Sequence, residues 1–179
     1  MKNITTERLI LRSWQEGDAA DLYVLARDAD VGPRAGWEPH ESVGASLKII
    51  RTILSAPEVY AITDRETGEL MGSLGLHPSR DKKEGEWELG YWIGKPYWGR
   101  GYVPEAAKAA LRRAFTELGC SAVWCSHFEG NDQSRRVIEK CGFTRLPEMD
   151  REDSSYADGK VHQLRVYRMT AEEWSAIYG

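Results

Sequence analysis

Cysteine, histidine, long apolar runs and clustered basic charge are all scarce in this chain of 179 residues, and each scarcity narrows its chemistry. The three cysteines are Cys120, Cys125 and Cys141. An odd count without zinc-type spacing argues against a disulfide framework and a structural zinc. Small, reduced core thiols in a cytoplasmic protein are the expectation. His40, His77, His127 and His162 are scattered, with no pair at metal-ligand spacing on one helix, so no metal is expected. No apolar run approaches the ~18 residues of a membrane span. Residues 1–12 lack the apolar centre of a signal peptide, and neither membrane nor export is expected. The densest basic groups are pairs, Arg112-Arg113 and Arg135-Arg136. At a net charge of −4, with no basic face to replace phosphate counterions, nucleic acid is not an expected partner.

Hydrophobic residues make up 41% and charged residues 29%, the balance of an ordinary globular protein. The length suits a single domain over residues 1–179, burying about 70% of the surface its unfolded chain exposes. Arg8-Leu-Ile-Leu-Arg12 reads as a strand, and Asp18 as the cap of a helix carrying Leu22, Leu25 and Ala26. Residues 31–39, rich in Gly and Pro, read as a loop, followed by a helix with Val43, Leu47, Ile50 and Leu54 on one face. Residues 58–63 and 70–76 form an antiparallel hairpin turned at Thr67-Gly68. Along 86–93, Glu86, Glu88, Gly90 and Trp92 face one way, and Trp87, Leu89, Tyr91 and Ile93 the other. A long helix then carries Val103, Ala107, Ala110, Ala114 and Leu118 on one face and closes at Gly119. Residues 122–128 are a strand, Asn131-Asp132 open a last helix that Gly142 ends, and two strands follow, from Phe143 and over 160–169, joined by a polar loop. The order β-α-α-β-β-β-α-β-α-β-β predicts a mixed α/β (α+β) fold. Its sheet is mostly antiparallel, of about seven strands, with helices on both faces and at least one parallel βαβ crossover.

The most informative stretch is Trp98-Gly99-Arg100-Gly101-Tyr102-Val103, between a strand and a helix. Free N–H groups at a helix start, with the helix dipole, make an anion site, and glycines let a phosphate approach the backbone. A Rossmann fingerprint would need glycine at Pro104 and an acid at a strand end about twenty residues on, and both are missing. A Walker loop needs Gly-Lys-Ser/Thr, which does not occur. Coenzyme A is the remaining class.

Glu88-Leu-Gly-Tyr-Trp-Ile-Gly94, Trp98-Gly-Arg-Gly-Tyr-Val-Pro-Glu-Ala106 and Asn131-Asp-Gln-Ser-Arg-Arg-Val-Ile-Glu-Lys-Cys-Gly-Phe143 together resemble the GNAT acetyltransferase superfamily. Specifically they are similar to its Rim-type branch of ribosomal-protein N-terminal acetyltransferases, as are Thr6–Arg12 and Asp158 through Trp174. The resemblance covers nearly the whole chain. It implies the acyl-CoA N-acyltransferase fold, acetyl-CoA as co-substrate and a primary amine as acceptor, on a protein N-terminus or a small molecule. The family loop usually reads Arg/Gln-x-x-Gly-x-Gly/Ala; here Trp98 and Val103 stand at its first and last positions. Backbone donors survive both changes, and the loop residues Trp98, Gly99, Arg100, Gly101, Tyr102 and Val103 remain the expected pyrophosphate site. Backbone groups of Trp92, Ile93 and Gly94 are expected on the pantetheine arm, with Asn131 and Ser134 as further cofactor contacts.

The amine must attack neutral, and a carboxylate can take its proton, directly or through water. The resemblance puts Glu88 beside the thioester, with Glu86 as second candidate on the same strand face. The alternative for each is a structural hydrogen bond or a solvated charge. Relatives often place a tyrosine on the last helix to protonate the thiolate; this helix has none, and Ser134 is expected near the sulfur instead. Its alternative is local backbone bonding, and that of Asn131 a helix cap. Trp37, Glu38 and His40, with the acids of 150–159, lie where the family's acceptor approaches. A non-catalytic acyl-CoA sensor on the same fold is the rival function, and a homodimer is compatible with the common symmetry of such proteins.

Overall fold

The computed structural model describes residues 2–79, 83–154 and 157–179. A continuous sheet forms its frame. The chain enters through β1 (Ile4–Thr5) and β2 (Leu9–Ser13), then passes α1 (Ala19–Ala26), a short α2 (Gly32–Ala35) and α3 (Val43–Ile49), which runs on as a π-helical turn, Ile50–Leu54. The strands β3 (Val59–Asp64), β4 (Leu70–Pro78) and β5 (Glu86–Ile93) follow as a meander. Then come α4 (Tyr102–Thr116), β6 (Ala122–Phe128), α5 (Asp132–Lys140), β7 (Thr144–Arg145), β8 (Arg151–Ser154), β9 (Val161–Thr170) and α6 (Ala171–Tyr178). Strand order is β1-β2-β3-β4-β5-β6-β9-β7, with β8 on β9. Every pairing is antiparallel except β5 with β6, joined by the crossover helix α4.

Two apolar layers sandwich the sheet. On one face the alanines Ala106, Ala107, Ala110 and Ala114 of α4 pack with Leu11, Ile62, Leu74 and Leu111, all fully buried. Small residues let this helix approach the strands closely, and Ile138 of α5 joins the same cluster. On the other face Leu22, Leu25 and Ala26 of α1 meet Ile50, Leu54, Val59 and Leu70. Each fully buried Leu or Ile adds about 2 kcal/mol of burial free energy. Cys120, Cys125 and Cys141 are buried free thiols. Among the described residues no helix is long and apolar enough to cross a membrane.

Several expectations are corrected. Asp18 precedes α1 but makes no side-chain cap for it; its carboxylate faces back along the chain and accepts from Arg12 Nη1 and Nη2, both at 2.8 Å, and from Gln15 N–H (2.9 Å). Val43 is exposed and Ser46 takes the inward position in α3. Residues 31–39 contain the helical turn α2, started by Pro33 and stopped by Gly36 at φ +90°. The polar stretch 150–159 holds a strand, β8, and α5 is not the last helix, since α6 follows. The polar run 81–85, read from the sequence as a loop, lies partly outside the described residues, as do residues 155 and 156.

Before β3, Glu58 takes a left-handed backbone (φ 59°), rare for a residue with a side chain. Its carboxylate accepts from Arg113 Nε (2.6 Å) and Nη2 (2.7 Å) of α4 and from the Tyr60 hydroxyl (2.6 Å), which fixes α4 to the sheet. The Arg113 hydrogen bonds hold the Glu58 carboxyl below its ordinary value of 4.5, against the opposing effect of burial. This contribution is therefore present above about pH 4.5 and is lost as pH falls through the folded-state value. Removing one partner of so buried a pair strands the other charge. Arg113→Ala should lower stability by about 3 kcal/mol, roughly 6–12 °C by calorimetry at pH 7, with a smaller loss against wild type below pH 4.

Candidate active site

The parallel ladder between β5 and β6 covers three pairs, Glu86 with Ala122, Trp87 with Val123 and Glu88 with Trp124. Beyond it the strands splay, and a cavity of about 630 Å³ opens between them. Gly94 N–H donates to Met71 O of β4 (2.8 Å) and Ser79 N–H donates to Glu86 O (3.1 Å), so the even-numbered residues of β5 direct their backbone at β4. By strand alternation Leu89, Tyr91 and Ile93 direct theirs at the gap. Ile93 O is taken by Trp98 Nε1 (2.9 Å) and Leu89 O by Cys125 Sγ (3.4 Å), which leaves Tyr91 N–H and C=O and Ile93 N–H on the open edge.

At the far end of the gap, Gly99 (φ +74°) and Gly101 (φ +79°) turn the chain into α4, and Gly101 caps the helix without a side chain. Among the described residues, the N–H groups of Gly99, Arg100, Gly101, Tyr102 and Val103 have no partner within the chain. Arg8 holds the turn from outside. It donates to Arg100 O (3.0 Å), pairs with Glu105 (2.7 Å) and lies 4.5 Å over the Tyr102 ring. Arg34, Arg136 and Lys140 line the same cavity. A turn of free donors beside three cations is suited to a chain of phosphates, and a bare strand edge is suited to an amide-bearing arm.

Asn131 Oδ1 caps α5 by accepting from Ser134 N (3.2 Å), and its Nδ2 donates to Arg34 O (3.1 Å), bridging α5 to α2. Ser134 Oγ lies 2.8 Å from the Tyr91 hydroxyl, inside the cavity. Burial raises the Tyr91 hydroxyl well above its ordinary value, so it stays protonated.

The expected site residues divide. Glu88, Trp92, Ile93, Trp98, Gly99, Gly101, Tyr102, Val103, Asn131 and Ser134 all line the cavity. Trp92 does so by its position on the wall, while its backbone faces β4. Gly94 does not; its N–H is spent on Met71 O, and a Cβ there would lie 2.7 Å from Leu25. Arg100 is not in the lining, and its N–H is one of the unpartnered donors of the turn. Glu86 also lies outside and accepts from Trp124 Nε1 (2.7 Å). Trp37, Glu38 and His40 are not in the lining. Trp37 meets Trp92 edge-on at 5.5 Å, His40 bonds Ser46 Oγ (2.8 Å), and Glu38 is exposed. Sequence reasoning passed over Tyr91, His77 and Arg34, all lining the cavity; of the acids of 150–159 expected at the acceptor approach, Asp153 lines it too. The alternation of β5 placed Tyr91 on the face of Ile93, yet nothing in the sequence announced its contact with a helix 43 residues on.

A sheet that splays at one parallel pair of strands, over a glycine turn opening a helix, is the mixed α/β arrangement of the acetyltransferase fold. A sequence profile described as "Acetyltransferase (GNAT) domain" matches residues 8–144, and the chain belongs to the GNAT acetyltransferase family. Bacillus subtilis YoaA, named an uncharacterized N-acetyltransferase, is 28% identical over 92% of this chain and 94% of its own length. Bacillus subtilis YdaF, named provisionally a ribosomal N-acetyltransferase, is 36% identical over 60% of this chain and 57% of its own. The crystal structure of a GNAT-family acetyltransferase from Bacillus anthracis superposes with a TM-score of 0.84 at 22% identity, covering 96% of this chain and 99% of that one.

The turn geometry makes a prediction. An alanine at Gly101 must hold a left-handed backbone at a cost of about 1–2 kcal/mol, or rotate the free N–H groups away. Gly101→Ala should raise the Kd for CoA in calorimetric titration. Gly119→Ala, also left-handed (φ +66°) but outside the cavity, should lose comparable stability and keep CoA affinity.

Proposed function

We propose that the protein transfers an acetyl group from acetyl-CoA to a primary amine by direct attack in a ternary complex. One observation carries this: unpartnered N–H donors, three cations, an open strand edge, a carboxylate and a hydroxyl pair share one cavity. The residues suit acetyl-CoA. Gly99 to Val103 would hold its pyrophosphate, Arg34, Arg136 and Lys140 its charge, and Tyr91 and Ile93 backbone groups its amide arm. Bound there, acetyl-CoA supplies an acyl carbon activated as a thioester.

The chain's own groups do the rest. Glu88 takes the proton of the attacking amine, directly or through water. Ser134 Oγ, braced by the Tyr91 hydroxyl, hydrogen-bonds the departing sulfur. No cysteine is suited to carry the acetyl group. Burial raises the Cys125 thiol strongly and the Cys141 thiol to about 11, so neither is a thiolate near pH 7. The acceptor is a peptide N-terminus or a small-molecule amine, and the cytoplasm is the proposed location.

Glu88→Gln should lower turnover by about 10²-fold or more with CoA affinity kept, and Ser134→Ala should slow the reaction less severely. Acetyl-CoA and CoA at about 100 times Kd should each stabilise the wild-type protein by about 2.7 kcal/mol in a thermal-shift series, while NADH does not. Binding without turnover across peptide, polyamine and small-molecule amines would favour an acyl-CoA sensor instead.

A further inference from the structure

His77 of β4 is paired with Glu88 of β5 in the antiparallel register, so both side chains leave the same face of the sheet into the cavity. The next pair toward the splay is Gly75 with Gly90. The imidazole leans over that pair. A Cβ on Gly75 would lie 2.6 Å from His77 Nε2, and one on Gly90 would lie 4.0 Å from His77 Cδ2. Two facing glycines thus form a bare floor, and the ring occupies the space that their side chains would fill. The imidazole therefore reaches one pair beyond its own place in the ladder, with Nε2 over Gly75 of β4.

We infer that His77 is a proton acceptor for the incoming amine, with Glu88 across the strand pair holding the imidazolium it becomes. The inference rests on the acetyltransferase reading and revises its proton path: the amine's proton goes first to His77, and Glu88 acts through the imidazolium instead of taking the proton itself. As the amine nitrogen bonds to the acyl carbon and the carbon–sulfur bond breaks, the nitrogen becomes strongly acidic, so a weak base suffices. One proton passes from that nitrogen to an imidazole nitrogen, and later to solvent at the cavity mouth. The thiolate, hydrogen-bonded by Ser134 Oγ, takes one proton from solvent, either directly or by relay through that hydroxyl, which is reprotonated from solvent as it donates; one proton is released and one taken up, so charge and atoms balance. Burial lowers the His77 imidazole below its ordinary 6.5, against the raising effect of Glu88, and it is neutral and ready to accept at pH 7. Around it, Glu88 faces it from β5 and Val59 of β3 adjoins its glycine floor. His127 of β6 and Asp153 of β8 are further titratable groups of the cavity lining.

The test joins kinetics to a readout that needs no turnover. In the full-length protein, His77→Gln should lower kcat by about 10²-fold with the KM for acetyl-CoA unchanged, and should remove the further downward break below pH 6.5 that His77 adds to the amine's own limb in the kcat/KM profile. The double variant His77→Gln/Glu88→Gln should be little worse than either single one, as expected of groups acting as a unit. By NMR, the His77 resonance, identified by its absence from His77→Gln, should titrate below 6.5 and move lower still in Glu88→Gln. Added imidazole should restore part of the activity of His77→Ala. Unchanged kcat and pH profile in an active, folded His77→Gln protein would overturn the inference and leave the acetyltransferase reading standing. So would a His77 midpoint indifferent to Glu88→Gln. Wild-type protein that binds acetyl-CoA but acetylates no amine would overturn both.

Discussion

The functional geometry depends on a ladder that stops. β5 and β6 pair in parallel for three residues and then part, and the cavity is the space where a fourth pair would lie. Backbone donors and acceptors on a sheet normally satisfy one another, and here the open edge of β5 is left to another partner. Trp98 and Cys125 stand at the two ends of that edge, each bonding one carbonyl of β5, and so set its length. The indole of Trp98 thus makes a structural bond to Ile93 O where the family's usual long polar residue has no equivalent ring. The Arg34 guanidinium lies 5.3 Å over its face, bringing a cation of α2 to the cofactor side of the cavity.

How much of this was legible in the sequence varied with the kind of signal. β5, α4 and β6 carry clean alternation or a helical stripe and emerged with nearly the observed bounds. β1 and β7 have two residues each, too short for any period. β8 reads Arg-Glu-Asp-Ser and has no apolar face, so only its pairing with β9 makes it a strand. α6 was within reach: Thr170 and Glu173 form a reciprocal capping box, a sequence pattern in its own right. Asp18 was misjudged because a cap residue is also a carboxylate, and Arg12 lies one strand away.

Among the site residues the limit is finer. Glu86 and Glu88 share a face by alternation, and no local pattern separates them. The structure does so by depth in the ladder. Glu86 belongs to the first closed pair and answers Trp124, whereas Glu88 belongs to the last pair and reaches the cavity. His77 seemed isolated because its partner stands opposite on the next strand, and its glycine floor is built from two strands at once. The glycine loop was readable because its chemistry is carried by consecutive residues. The cations that complete it come from α2 and α5, which only tertiary packing brings together.

The seam between β5 and β6 has a mechanical meaning as well. Strands β1 to β5 lie on one side of it and β6 to β9 on the other, joined by three parallel pairs, by α4 and by side-chain bonds such as Glu86 with Trp124 and Tyr91 with Ser134. A molecule built this way has a break in its backbone ladder at its middle as well as at its rim. Amides along that break have no strand to answer them, and their hydrogen exchange is expected to be faster than that of the paired strands beside them. A ligand laid along the seam would act as a splint, completing the ladder where the chain itself leaves it open.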